Sequence, residues 1–297
     1  MSPRSGYLYV ITAAVLWAVS GASSKFLFLS GVSPMQLVQL RISIAAGALL
    51  IGLSIWNPKL LKIDPIDLPY FAILGAAAMA AVQFAYLFAI SRINVAAAIL
   101  LQYLAPSLIA LYSVAVAREK LRTTTVIALA GATSGCYLVV GAYNLNLFEM
   151  NVMGILGGLG AAVSFAWYSI QGEYGMRRYH PWTVLFYAVF FAAIVWNLLQ
   201  APFGAFTKTY SPVQWGLILY IALLGTILPF GLYFEAIRRI RATHASIAAT
   251  LEPITAGLVS FIFLGESMEP LQLLGAILVI ASVVLIQSGS HPNAGHP

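Results

Sequence analysis

Charged residues are scarce in this chain. Only 8% of the 297 residues are Asp, Glu, Lys or Arg, whereas 61% are hydrophobic, and the mean hydropathy is +0.91. Because roughly a quarter of the residues in soluble domains are charged, this composition excludes a water-soluble fold and places the chain in a lipid bilayer. The one cysteine, Cys136, excludes a disulfide within the chain and says little about the compartment.

Catalytic and nucleotide-binding motifs are missing as well. The chain has no Walker A sequence, so we expect no direct use of ATP, and it has neither HExxH nor GxSxG. His180 and His244 are isolated near predicted helix ends, and the two histidines of the C-terminal tail are too few to indicate a metal site. We therefore expect no catalytic residues, no metal site and no cofactor.

Long apolar runs, in contrast, fill almost the whole sequence. About 20 apolar residues in a helix cross a hydrocarbon core of roughly 30 Å. Ten stretches have this length, and the short connections leave no room for a separate catalytic domain. These predicted spans, numbered one to ten, are 6–29, 34–56, 68–91, 95–117, 122–142, 151–173, 181–201, 212–236, 242–264 and 270–288. The sequence therefore predicts an all-α polytopic membrane protein, followed by a disordered tail, 289–297.

The two halves of the chain repeat each other with a shift of 147 residues. Residues 34–119 align with 181–266, so that Pro34 meets Pro181 and Arg92 meets Arg239. Each half holds five spans, and an odd number turns the second copy upside down in the bilayer. The sequence thus predicts a first five-helix repeat, 6–142, and a second, inverted one, 151–288.

The basic residues indicate the orientation in the membrane. With the N-terminus in the cytoplasm and the spans alternating, eleven basic residues lie on the cytoplasmic side, three lie outside and Arg41 lies within a span. The cytoplasmic set is Arg4, Lys59, Lys62, Arg118, Lys120, Arg122, Arg177, Arg178, Arg238, Arg239 and Arg241, and the outer set is Lys25, Arg92 and Lys208. We predict that both termini are cytoplasmic. The net charge of +6 then reflects topology, and no nucleic-acid partner is expected.

Glu252 is a residue that lipid should exclude. It lies near the middle of span nine, where a charge costs on the order of 2.5–3.5 kcal/mol. Three interpretations stay open: Glu252 binds a substrate amine or a proton, it pairs with Arg41 of span two, or it is a neutral acid bonded to a carbonyl that Pro253 leaves unpaired. For Arg41, the alternative is that its side chain extends to the outer headgroups.

Further polar and aromatic side chains fall on coherent helix faces and predict a wet, aromatic cavity between the repeats. With Glu252 and Arg41, the candidate substrate- or ion-binding residues are Trp17, Gln83, Tyr86, Gln102, Tyr103, Tyr168 and Tyr233. Each of them, taken alone, has the alternative of a hydrogen bond to a neighbouring helix. Pro106, Pro253 and Pro229 are expected to bend spans four, nine and eight, either as hinges or as fixed kinks.

Together these features resemble the drug/metabolite transporter superfamily and, within it, the EamA-type exporters. The resemblance covers residues 6–288 and rests on the two five-span halves and on a small set of residues. These are Trp17, Arg41, Leu104-x-Pro106 with Arg118-Glu119, and Leu251-Glu252-Pro253 followed by Leu264-Gly265-Glu266. It implies both termini inside, a cavity between the halves, peripheral spans five and ten, and export of small metabolites, often amino acids, by alternating access.

We therefore expect a secondary transporter or facilitator in the cytoplasmic membrane that exports an amino acid or an amphipathic amine-like solute. The expected partners are a small-molecule substrate, the lipid bilayer and, as a candidate coupled ion, the proton. The chain is expected to be a monomer or a homodimer. Sugar nucleotides are disfavoured because only Lys25 and Arg41 lie within spans to neutralise phosphate. A membrane-embedded enzyme or a lipid flippase is the alternative, and a sensor is a third class.

Overall fold

The computed structural model describes residues 3–93, 95–144, 150–264 and 269–288, and within them the secondary structure is helical, without strands. The predicted tail and the Gly265-Glu266 pair lie outside the described residues. The α-helices are α1 (Pro3–Leu29), α2 (Pro34–Trp56), α3 (Leu68–Ile73), α4 (Ala80–Arg92), α5 (Val95–Gln102), α6 (Ala105–Ala115), α7 (Thr123–Val139), α8 (Val152–Gly175), α9 (Pro181–Leu199), α10 (Pro212–Ala222), α11 (Leu228–Ala249), α12 (Leu251–Leu264) and α13 (Pro270–Ser288).

The predicted spans correspond to these helices, singly or joined. Among the described residues, eight helical segments are long and apolar enough to cross a membrane, and α7 is a shorter apolar helix. One of the eight, Pro212–Ala249, contains span eight and the start of span nine, which are divided by a kink at Arg241 with φ of 69°. Helix α12 completes span nine. The all-helical, multi-span fold predicted from the apolar runs is confirmed.

Two spans contain a π-helical segment that the sequence did not predict. One, Leu74–Met79, joins α3 to α4, and the other, Leu223–Ile227, joins α10 to α11. The wider turn brings glycines against neighbouring helices: a Cβ added at Gly75 would lie 2.7 Å from the carbonyl oxygen of Ala188, and one at Gly225 would lie 2.8 Å from Cβ of Ser20. Pro229 follows the second segment only, so proline does not cause the first.

The repeats pack on each other reciprocally. A Cβ at Gly6 of α1 would lie 2.9 Å from Cγ2 of Ile240, and one at Gly154 of α8 would lie 2.6 Å from Cγ2 of Ile93. Gly6 and Gly154 are 148 residues apart, and Ile93 and Ile240 are 147 residues apart, so the two contacts are equivalent. The first helix of each repeat therefore meets the third span of the other. The two-repeat architecture predicted from the sequence is therefore present in three dimensions.

Local signals explain why equivalent helices start where they do. The equivalent prolines Pro34 and Pro181 occupy the first position of α2 and α9, where a missing N–H costs no helical hydrogen bond. Before them, Ser33 accepts from the N–H of Gln36, and His180 accepts from the N–H of Trp182. Each cap thus pairs one of the free donors at its helix start.

Spans five and ten pack against each other through bare backbone. A Cβ at Gly135 of α7 would lie 2.8 Å from the carbonyl oxygen of Gly275, and one at Gly275 of α13 would lie 2.7 Å from both the Gly135 oxygen and the Val139 nitrogen. Small residues allow this approach in lipid, where helix association depends on packing. Helix α13 is also the least buried of the candidate spans.

We expect Gly275→Ala to lower the thermal stability of the purified protein in detergent, because the added methyl would meet two backbone atoms that cannot rotate away. The expected cost is about 1–3 kcal/mol. The matched control is Gly52→Ala in α2, where an added Cβ has no neighbour within 4 Å among the described atoms. Helix propensity predicts a neutral or slightly stabilising effect there. Equal melting temperatures for both variants would contradict the close contact between α7 and α13.

Candidate functional site

A cavity lies between the two repeats and takes side chains from both. It is lined by Trp17, Ser20, Ser24, Arg41, Val82, Gln83, Tyr86, Gln102 and Tyr103 of the first repeat, and by Phe165, Phe230 and Glu252 of the second. The space inside it that is open to the centre of a water molecule is about 30 Å³. A metabolite therefore fits only if the helices around the cavity move apart.

Three buried polar atoms in the cavity wall have no hydrogen-bond partner within the described part of the chain. They are Nε1 of Trp17, the hydroxyl of Tyr86 and Oε1 of Gln102. Buried polar groups are almost always paired, and leaving one unpaired costs about 1–3 kcal/mol. The cavity wall therefore holds two hydrogen-bond donors and one acceptor that are unpaired, and a polar ligand in the cavity would supply their partners.

Arg41 does not extend to a headgroup region but is buried, with 4% of its surface exposed, and reaches across to span eight. Its Nε lies 3.0 Å and its Nη2 lies 2.8 Å from Oγ1 of Thr226, and Nη2 also donates to the carbonyl of Gly225 at 3.2 Å. That carbonyl is four residues before Pro229, which has no N–H to donate to it. The guanidinium thus pairs a carbonyl that the proline leaves without its usual helical donor.

Glu252 is equally buried, with 3% of its surface exposed, and contacts the break in span four. Its Oε2 lies 2.8 Å from the hydroxyl of Tyr103, and the same hydroxyl lies 2.7 Å from the carbonyl of Ala249. Ala249 is four residues before Pro253, so this carbonyl too lacks a helical donor. The arrangement is close to the third interpretation of Glu252, except that Tyr103 stands between the acid and the unpaired carbonyl.

The carboxylate of Glu252 and the guanidinium of Arg41 form no ion pair within 4.0 Å in the described structure. Instead, Thr226 and Gly225 hold Arg41, and Tyr103 holds Glu252. Both charged residues nevertheless line the same cavity. One cation and one acid are therefore presented to it from separate helices, α2 and α12.

An aromatic cluster forms the part of the wall contributed by α1, α8 and α11. The ring centroid of Trp17 lies 6.0 Å from that of Phe165, 5.1 Å from that of Phe230 and 5.5 Å from that of Tyr233. Trp17 and Phe165 are 148 residues apart and occupy equivalent positions in the first helices of the two repeats, so the cluster takes an aromatic ring from each. The geometry suits an apolar or cationic group, because aromatic faces attract both.

Two of the predicted cavity residues lie behind the wall. Tyr233 pairs with Oγ of Ser169 at 3.0 Å, and Tyr168 stacks on Phe234 with ring centroids 4.7 Å apart. Neither lines the cavity, whereas the other seven candidates do. In the other direction, the sequence did not single out Thr226, because a threonine hydroxyl in a helix is ordinarily satisfied by its own backbone.

A second polar cluster ties three connections together at the end of the bundle that carries the Arg241 kink. Arg241 pairs with Glu119, which follows span four, and its Nε lies 3.0 Å from Oε1 of Glu173 at the end of α8. Glu173 also accepts from the N–H of Ala242 at 2.8 Å. We name these residues, Glu119, Glu173 and Arg241, the basic-end latch. The latch joins both repeats at this end of the bundle.

Known proteins share this architecture along the whole chain. A solved crystal structure superposes with a TM-score of 0.76 at 18% identity and covers 98% of this chain and 100% of that chain, which shows the fold. The uncharacterized inner membrane transporter YicL of Salmonella typhimurium is 29% identical over 99% of this chain and 98% of its own length. The threonine/homoserine exporter RhtA of Escherichia coli K12 is 23% identical over 93% and 88% of the two chains.

The family match covers both repeats. Residues 4–141 and 152–288 each match the EamA-like transporter family. Membership in a transporter family implies a small-molecule substrate and a membrane environment, in agreement with the apolar helices. The resemblance seen in the sequence is therefore confirmed, and this chain is a multi-pass membrane protein that belongs to the EamA-like transporter family.

Proposed function

We propose that the protein exports a small amine-bearing zwitterion, such as an amino acid, across the cytoplasmic membrane by alternating access. The observation that carries this proposal is the pairing, in one cavity between the repeats, of the buried cation Arg41 and the buried acid Glu252 with unpaired polar atoms between aromatic walls. The proposed orientation, with both termini cytoplasmic, is supported by the excess of basic residues on that side.

The chemistry of the wall matches the two ends of a zwitterion. Nη1 of Arg41 makes no hydrogen bond to the described residues, because Thr226 and Gly225 occupy Nε and Nη2. This nitrogen is the proposed donor to the substrate carboxylate. Oε1 of Gln102 and the carboxylate of Glu252 are the proposed acceptors for the ammonium group, beside the face of Trp17.

The relatives support the size and polarity of this substrate. RhtA is named as a threonine/homoserine exporter and aligns along 93% of this chain. Both of those compounds carry one carboxylate, one ammonium and a short polar side chain. Among the described residues of the wall, Arg41 is the only cation, and a polyphosphate needs several.

Movement is proposed to centre on the helix breaks. The breaks between α5 and α6 and between α11 and α12 lie within three residues of Pro106 and Pro253, and Pro229 adjoins the π segment of span eight. Broken helices beside a mid-membrane site are a common device of alternating access. The basic-end latch closes one mouth of the bundle, and in the proposed cycle it separates when the cavity opens to the cytoplasm.

Ligand binding tests the substrate class directly. We expect L-threonine or L-homoserine to raise the melting temperature of the purified protein. At a ligand concentration of one hundred times the dissociation constant, the free energy of unfolding should increase by about 2.7 kcal/mol. N-acetyl-L-threonine and L-threoninol, which lack the ammonium and the carboxylate, are expected to stabilise far less, because one charged wall residue is then left without its partner. Equal stabilisation by all of these compounds, or by none of the amino acids and amines tried, would remove the zwitterion proposal.

Breaking the latch tests the gate. In a protein carrying Ser24→Cys as a reporter in the cavity wall, Glu119→Gln with Glu173→Gln is expected to speed labelling by a membrane-impermeant thiol reagent two- to fivefold. Exposed ion pairs contribute about 1 kcal/mol or less, and the latch residues are partly exposed.

The matched control for the gate is Asp67→Asn, which removes the shorter of the two ion pairs of Arg178, outside the latch. Its labelling rate should equal that of the parent. The same rate in both variants would show that the latch does not hold this mouth closed.

A further inference from the structure

We infer that Glu252 and Tyr103 form a proton-binding site, in which Glu252 holds a proton in the closed conformation and gives it up when the ammonium group of the substrate binds. The proton site itself follows from the geometry of this structure. Only the exchange with an ammonium group rests on the proposed function.

The first step is the unpaired carbonyl of Ala249. Helix α11 ends at Ala249, and Pro253 has no N–H to donate to it. Within a bilayer no bulk water pairs such a group, and an unpaired carbonyl costs several kcal/mol. The hydroxyl of Tyr103, 2.7 Å away, is the donor that the structure places there. The single hydrogen of Tyr103 is therefore committed to Ala249.

The second step is the contact between Tyr103 and Glu252. The two side-chain oxygens are 2.8 Å apart, which is a hydrogen-bond distance and requires one hydrogen between them. Because the hydrogen of Tyr103 points to Ala249, the hydrogen between Tyr103 and Glu252 must come from the acid. A carboxylic acid can donate it and an ionised carboxylate cannot. Both contacts are complete only when Glu252 is protonated.

The surroundings of Glu252 offer no better partner for a charge. The titratable or charged groups that face it are Arg41 of α2, Tyr86 of α4, Tyr103 and the buried thiol of Cys136 in α7. Arg41 is held by Thr226 and Gly225 and forms no ion pair with Glu252. Among the described residues, Tyr103 is the side chain that shares a hydrogen bond with Glu252, so an ionised carboxylate would be buried without a paired cation, which is strongly unfavourable.

The exchange follows from the charge balance of the cavity. When a substrate with an R–NH3⁺ group enters, Glu252 releases its proton to water on the open side and its carboxylate pairs with the ammonium. The proton that leaves and the ammonium that enters each carry one positive charge, so the net charge at Glu252 is unchanged, and the carboxylate of the substrate pairs with Arg41. When a proton returns from the opposite side, it neutralises Glu252 and releases the substrate. Substrate and proton therefore move in opposite directions, and an inward proton gradient drives export.

Infrared spectroscopy tests the proton site without any substrate. In the purified protein in lipid at neutral pH, we expect the C=O stretch of a buried carboxylic acid, which shifts in D2O and is lost in Glu252→Gln. The matched control is Glu269→Gln, which changes an exposed acid that contacts Tyr143 and should leave the band intact. The absence of the band in the parent at neutral pH, or its persistence in Glu252→Gln, would overturn the inference.

Tyr103→Phe provides a second variant in case Glu252→Gln does not fold. Without the hydroxyl, the acid loses its acceptor, so the C=O band should move and its titration midpoint should change. An unchanged band and midpoint in Tyr103→Phe would show that Tyr103 and Glu252 do not act as a pair.

Proton release tests the exchange. In weakly buffered solution with a pH dye, the amino acid that stabilises the protein best is expected to release about one proton per molecule bound, and to release none in Glu252→Gln. An amino acid that binds without releasing a proton would contradict the exchange of substrate and proton, but it would still support the proposed substrate class. If no amine binds at all, the substrate class fails, and the infrared band still decides whether Glu252 carries a proton.

Discussion

A backbone carbonyl that loses its helical donor inside a membrane must find another, because no bulk water is there to replace it. Two prolines of the second repeat, Pro229 and Pro253, create this demand. The first repeat meets it, with Arg41 donating to Gly225 and Tyr103 donating to Ala249. The same side chains line the cavity. The contacts that join the two halves and the groups that line the cavity are therefore one set of interactions.

The cavity is small in this structure, and a polar cluster holds the two repeats together at one end of the bundle. Arg241 adopts a positive φ at the kink in α11 and pairs there with Glu119 and Glu173. A strained residue held by two acids from other elements is a contact that can separate as a unit. The small volume of the cavity and the intact latch thus belong to the same conformation, in which the side chain of Glu252 is buried.

The helical fold and its division into two repeats could be predicted from the sequence. The lengths of the apolar runs predicted the spans, and the 147-residue shift predicted the repeats. Glu252 and Arg41 stood out because lipid excludes charge. Their partners could not be predicted, because the donor that reaches an unpaired carbonyl depends on how distant helices approach. Thr226 lies in the π segment Leu223–Ile227. Neither this segment nor Leu74–Met79 contains a residue from which a π turn could be predicted. Tyr168 and Tyr233 share a helix face with cavity residues yet lie one layer deeper.

The division of labour between the halves has a consequence for their history. The positions equivalent to Arg41 and Tyr103 hold Ala188 and Thr250, and those equivalent to Glu252 and Pro229 hold Ala105 and Val82. Pro253, in contrast, has the counterpart Pro106, so both halves carry this proline, whereas the donors Arg41 and Tyr103 occur in the first half alone. Two copies of the second half would leave these carbonyls without their donors. The halves have therefore diverged so that the second relies on side chains that the first supplies.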